Sequence, residues 1–190
     1  MYDRLGQLQR TLDLGDASNH VQTTPNGKIW VGYFDEGVFG HSVGGAGLVC
    51  FDALGKPIFK YSEFAQRHEL SFIDDCYAMN VVDDEEVWTS YYSEFPLVCI
   101  KNFQLEKVWK DFSYMDAFAL VSDTVVFTQV ELYDGGRKMQ LFRRALAASS
   151  QKEQIEARDE QGKMIDGLMR GAGRGAHFYL WAGTGLYKMT

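Results

Sequence analysis

Short apolar runs broken by Gly, Pro, Asn and Asp follow one another along almost the whole chain. Runs of this length, rich in β-branched and aromatic residues and closed by turn formers, predict β-strands; a helix would need a longer stretch with a 3.6-residue period. The clearest set starts at Asp75. Cys76-Tyr77-Ala78-Met79-Asn80-Val81 predicts a first strand, Asp83-Asp84-Glu85 a turn, and residues 86–91, 97–101 and 107–110 three further strands. The stretch before it has the same layout, with strands over 20–23, 28–33, 48–52 and 57–61 and a turn at Pro25-Asn26-Gly27. A third set starts at Asp116 and predicts strands over 117–121, 124–129 and 138–143. Its last strand is undefined, and the polar, helix-forming stretch 145–160 predicts a short helix or an extended connection. A fourth set predicts strands over 167–169, 177–182 and 186–189 and stops one strand short.

These sets are copies of one unit. Gly47-Leu48-Val49-Cys50-Phe51 returns as Pro96-Leu97-Val98-Cys99-Ile100 and again as Gly185-Leu186-Tyr187-Lys188-Met189. Self-similarity at roughly 40 to 50 residues on four short strands predicts an all-β fold, a β-propeller of about four blades. The missing last strand has a counterpart at the other end of the chain. Tyr2-Asp3-Arg4-Leu5-Gly6 repeats the spacing of Phe51-Asp52-Ala53-Leu54-Gly55 and leads into residues 8–12, which predicts an N-terminal strand closing the last blade. The alternative is an open ring completed by a second copy. Trp30, Trp88, Phe127 and Trp181 recur on the second strand of each set among apolar neighbours, so both sheet faces are expected to be buried and all four rings to lie in the core.

Composition changes this picture little. With 190 residues and 46% apolar content the chain can form one domain spanning 1–190. Cys50, Cys76 and Cys99 lie in apolar runs and are odd in number, which fits no disulfide framework or metal spacing and suggests a reducing, cytoplasmic setting. Neither a secretion signal nor a stretch long enough to span a membrane is present, so no membrane partner is expected. The net charge of −7 disfavours general nucleic-acid binding, which needs Lys and Arg against phosphates.

The run from His20 through Thr24-Pro25-Asn26-Gly27-Lys28-Ile29-Trp30 to Gly40, together with Ile73-Asp74-Asp75-Cys76-Tyr77-Ala78-Met79-Asn80, resembles a poorly characterised group of bacterial propeller-like repeat proteins. The resemblance covers the first three sets well and the last weakly. It implies a propeller and a bacterial origin, and it brings no established activity and no catalytic residue.

In a propeller, the connections before first strands and those between second and third strands emerge on one rim. Most of the acidic residues fall in those connections, interleaved with aromatics. Tyr33, Phe34, Asp35, Glu36, Phe39, Tyr92, Phe95, Tyr114 and Tyr133 therefore form the candidate binding set, a composition suited to gripping a basic protein or peptide. The function this favours is a non-catalytic binding module, with an immunity-like sequestration of a basic toxin as a specific version. The same residues read equally well as solvated loops and blade-top packing. No cofactor motif is present, but Asn19, Asp75, Asp116 and Asp166 each precede a first strand and could together offer oxygen ligands to a divalent cation at a channel mouth. That would support a second class of function, a metal-dependent or small-ligand enzyme; the bland alternative is that each side chain caps its own turn. Gly171-Ala172-Gly173-Arg174-Gly175-Ala176 has the look of a dinucleotide-binding loop. It precedes a strand instead of a helix, and is expected to be the turn between first and second strands. The four histidines show no metal spacing.

Overall fold

Four antiparallel sheets, each a simple meander, organise the chain in a computed structural model that describes all residues except Tyr2, Ala148, Ser149 and Thr190. The first contains β1 (Ser18–Thr23), β2 (Ile29–Tyr33), β3 (Leu48–Phe51) and β4 (Pro57–Lys60). The second contains β5 (Asp75–Val81), β6 (Glu86–Tyr92), β7 (Leu97–Lys101) and β8 (Gln104–Trp109). The third contains β9 (Ala117–Val121), β10 (Thr124–Tyr133), β11 (Gly136–Ala145) and β12 (Glu153–Ile155), and the fourth β13 (Leu168–Arg174), β14 (His177–Ala182) and β15 (Gly185–Met189). The fold class is all-β, as four propeller blades. The first two sheets share a register, since Trp30 lies opposite Cys50 and Trp88 opposite Cys99. Among the described residues no helix is long and apolar enough to cross a membrane.

Contacts group into two compact units, Met1–Cys76 and Tyr77–Thr190. In the first, β2 and β3 are buried on both faces, and Ile29, Val31, Tyr33, Val49 and Phe51 form a core onto which Leu12, Leu14, Val38 and Val43 pack. The Gly-rich connection after β2 folds into a short helix, α1 (Asp35–Val38), and a 3-10 turn, Val43–Ala46. A Cβ on Gly44 would lie 2.9 Å from the Gly37 carbonyl oxygen, so glycine permits this close winding. A second helix, α2 (Tyr61–His68), was not evident from the strand pattern. Tyr61, Phe64 and Ala65 form its buried stripe, at the i, i+3, i+4 spacing of a helix face, and Glu69 ends it in a left-handed conformation. Phe64 meets Phe59 of β4 at 5.4 Å, and Phe59 meets Trp30 at 5.2 Å.

In the second unit the β10–β11 ladder runs unbroken from Thr124 opposite Ala145 to Tyr133 opposite Gly136, longer than its apolar core predicts. The polar stretch after it is an extended connection leading into β12, with no helix among its described residues. Residues 168–174, most of the expected glycine turn included, are strand, and only Gly175-Ala176 turns. The physical reason is close approach: a Cβ on Gly173 would lie 1.5 Å from the Phe118 carbonyl oxygen, so glycine lets β13 lie directly on β9. One side chain holds these strands together. Asn80 of β5 is fully buried, donates from Nδ2 to the carbonyls of Phe118 (3.2 Å) and Gly175 (2.9 Å), and accepts the Gly175 N–H at Oδ1 (2.6 Å). Trp30, Trp88 and Phe127 are core as expected, but Trp181 is 52% exposed. Its register explains this. Phe178, Leu180 and Ala182 take the buried face of β14, which leaves Trp181 on the other.

Candidate functional site

Four aromatic rings gather in the second unit. Tyr77 stands on β5 between the fully buried Cys76 and Ala78, half-buried because strand alternation turns it to the other face. Tyr92 ends β6, and Phe95 follows in a tight turn whose N–H donates to the Tyr91 carbonyl at 3.0 Å. Tyr114 comes from the connection into β9. The Tyr77 ring stacks on Phe95 at 5.7 Å and meets Tyr114 edge-on at 5.2 Å and Tyr92 edge-on at 6.5 Å. Phe95 lies 5.8 Å from Tyr92 and 5.9 Å from Tyr114. Offset and edge-to-face pairs of this kind are favourable, so the cluster is a formed surface with Tyr92 47% exposed.

A carboxylate is fixed beside these rings. The Tyr114 hydroxyl donates to Asp116 Oδ1, and the Asp116 N–H donates to the Thr128 carbonyl at 2.9 Å. Gln129 donates from its side-chain amide to Ser113 Oγ at 2.9 Å and to the Tyr114 carbonyl, and accepts from Lys152 Nζ at 2.6 Å. Tyr114 is therefore held at both its hydroxyl and its backbone. Asp116 Oδ2 is buried and has no hydrogen-bond partner among the described residues. Burial pushes the Asp116 carboxyl above the usual range, opposed by the Tyr114 hydroxyl, the Val130 N–H and the charge of Arg137. Aromatic faces next to an incompletely paired carboxylate offer a seat for a cation.

Of the expected binding set, the structure brings Tyr92, Phe95 and Tyr114 together and adds Tyr77 from strand β5. The signal was present, because Tyr77 is out of phase with Cys76 and Ala78. Tyr33 is a correction. It is fully buried in β2 and its hydroxyl donates to the Leu14 carbonyl, so it is a core residue, and burial raises its phenol well above the ordinary value. Phe34 is half-buried at the start of α1; Asp35 and Glu36 are exposed in the first turn of that helix, and Phe39 just after it is 73% exposed. Tyr133 lies at the tip of the β10–β11 hairpin and is 57% exposed.

The expected cation ligands differ in burial and in partners. Asn19 donates to the Cys76 carbonyl at 3.3 Å. The neighbouring Asp75 is shifted upward by burial and then by the charge of Asp35. Asp116 is engaged by Tyr114, and Asp166 is exposed in the connection before β13. Among the described residues no group of three or more His, Cys, Asp or Glu side chains is placed to hold a metal ion. Cys50 and Cys99 are buried, and burial pushes both thiols up to about 12, which removes them as nucleophiles near neutral pH.

Residues 48–189 match the YxzG family. Among solved structures, the chain is similar to the β-propeller domain of Cps50 (Swd1) from Myceliophteria thermophila, with a TM-score of 0.54 and 11% identity over 96% of this chain and 54% of that one. The likeness shows the β-propeller fold, and the chain spans about half the length of the propeller it matches. No curated protein matches the chain.

Proposed function

We propose that this chain, which belongs to the YxzG family, is a non-catalytic module that binds a protein or peptide through Tyr77, Tyr92, Phe95, Tyr114 and Asp116. The observation that carries this reading is the packed, part-exposed cluster of four rings with the Asp116 carboxyl fixed beside it by Tyr114. A raised carboxyl next to hot-spot residue types supports recognition at this place. The complementary partner is basic: a Lys or Arg side chain can lie over the rings with its charged end towards the carboxylate. The net charge of −7 favours the encounter by steering. Sequestration of a basic toxin, an immunity-like role, is one specific form of this function and rests on charge.

The test is fluorescence anisotropy of labelled Arg- and Lys-containing peptides, with acidic peptides of equal length as controls. Tyr92→Ala is expected to weaken binding of the cationic peptides about tenfold or more. Equal affinity for acidic and basic peptides, or indifference to Tyr92→Ala, overturns the reading.

Asp116→Asn separates recognition from stability. The folded Asp116 carboxyl is raised, so its ionised form is penalised in the native state: stability is greatest with the carboxyl protonated and falls as pH rises through the folded value. The Asn variant still accepts from Tyr114. It is expected to melt a few degrees higher than the wild type at pH 7, to lose that advantage as pH falls towards 4, and to bind cationic peptides more weakly. Thermal melts across this range check the sign.

A further inference from the structure

The fourth sheet has two faces of opposite character. Phe178, Leu180 and Ala182 of β14 face the core, and Tyr187 and Met189 of β15 share that side. The register places Arg170 opposite Trp181, Ala172 opposite Tyr179 and Arg174 opposite His177, while Trp181 lies opposite Leu186 and Tyr179 opposite Lys188. Directly opposed residues share a face. The outer face therefore carries His177, Tyr179 and Trp181 in a row along the central strand, with Arg170 and Arg174 on one side and Lys188 and Leu186 on the other.

No position of this face in the register carries a carboxylate, in a chain whose net charge is −7. Arg170 and Lys188 are exposed and form no ion pair among the described residues. Trp181 and Leu186 are 52% and 68% exposed, and the Trp181 indole N–H donates to the Gly183 carbonyl at 2.9 Å, which fixes the ring against the strand end. Rings at alternate positions of one strand repeat at roughly 7 Å, a spacing that can receive successive unstacked bases.

We propose that this face binds a single-stranded nucleic acid. Bases stack on Trp181 and Tyr179, and Arg170 and Lys188 pair with the phosphates. The acidic balance of the whole chain does not oppose this, because Arg170 and Lys188 come to one face only when β13 and β15 both pair with β14, and exposed charges beyond about 10 Å are largely screened at ordinary salt. An acidic protein segment would use the same cations and would have no need of the row of rings.

The experiment titrates the full chain into fluorescein-labelled oligo(dT) and oligo(U) of twelve nucleotides and, separately, into labelled poly-glutamate, following anisotropy and tryptophan quenching. Saturable binding of an oligonucleotide, with a log–log salt slope of about −1.4 for two phosphate contacts, is expected. Trp181→Ala is expected to weaken it about tenfold or more, Trp181→Phe to restore most of it, and Arg170→Glu with Lys188→Glu to abolish it. Circular dichroism melts of each variant confirm folding, which these exposed positions should leave intact. Three results overturn the proposal: no anisotropy change for either oligonucleotide at low salt, equal binding of poly-glutamate that ignores Trp181→Ala, or a concentration-dependent dimer that Trp181→Ala dissolves.

Discussion

Gly173→Ala is expected to lower the melting temperature by about 10 °C or more. The new Cβ would lie 1.5 Å from the Phe118 carbonyl oxygen, 2.5 Å from its carbon and 3.2 Å from the Ala119 nitrogen. Every one of these atoms is backbone, so no side chain can swing aside, and β13 must lift from β9. That lift opens the core formed by Ala117, Ala119, Phe178 and Leu180. A cost of about 4 kcal/mol follows from overpacking with backbone displacement, and in a domain of this size each kcal/mol lowers the melting temperature by about 2–4 °C. Gly162→Ala is the control. Gly162 has a positive φ of 78° but open space around it, so it should cost only about 1 kcal/mol. Similar melting temperatures for the two variants would show that β13 does not approach β9 as described.

Replacing Asn80 should be nearly as damaging and should depend on pH in a way that identifies the cause. Asn80→Ala leaves the Gly175 N–H without its 2.6 Å acceptor and takes the amide donor from the Phe118 and Gly175 carbonyls, in a fully buried place. The expected loss is about 3 kcal/mol, from at least one orphaned buried group and the cavity beside it. Asn80→Asp keeps the acceptor and points its second oxygen at two carbonyls, where only a protonated carboxyl can donate. Its folded pKa must rise above the unfolded value of about 3.9. The interaction is then complete below that value and lost as pH rises through the folded pKa. Asn80→Asp is therefore expected to match Asn80→Ala at pH 8 and to recover towards the wild type on acidification, while Asn80→Ala does not. Urea unfolding of all three proteins between pH 4 and 8 gives the comparison, and parallel curves for the two variants would remove the assigned role.

Much of the fold was legible from local pattern. The strands of the first two sheets lie within a few residues of the apolar runs that predict them, because turn formers and β-branched clusters act over a handful of residues. Where the reading departed from the structure, a distant partner was decisive. The Gly171–Gly175 stretch resembled a turn because glycine favours turns; it is mostly strand because Phe118, more than fifty residues away, leaves no room for a side chain. Stretch 61–68 was overlooked because its helical stripe is only two turns long. Tyr33 and Tyr92 both flank second strands and looked equivalent, yet Leu14 covers one and the other remains exposed.

The candidate sites divide in the same way. Residue types and their rim placement are legible in the chain alone and bring Tyr92, Phe95 and Tyr114 into the candidate binding set, while Asp116 enters there as a candidate cation ligand. Their assembly with Tyr77 needed ring positions that no spacing encodes. The basic face of β13–β15 was invisible for a related reason: Arg170, Lys188 and Trp181 acquire a common side only once the register sets which residues oppose each other. Composition and periodicity determined an all-β chain of four sheets, because strand alternation and turn chemistry are local properties of the backbone. Tertiary structure decided which faces are core and which are free to bind, because burial depends on what the rest of the molecule brings against each strand.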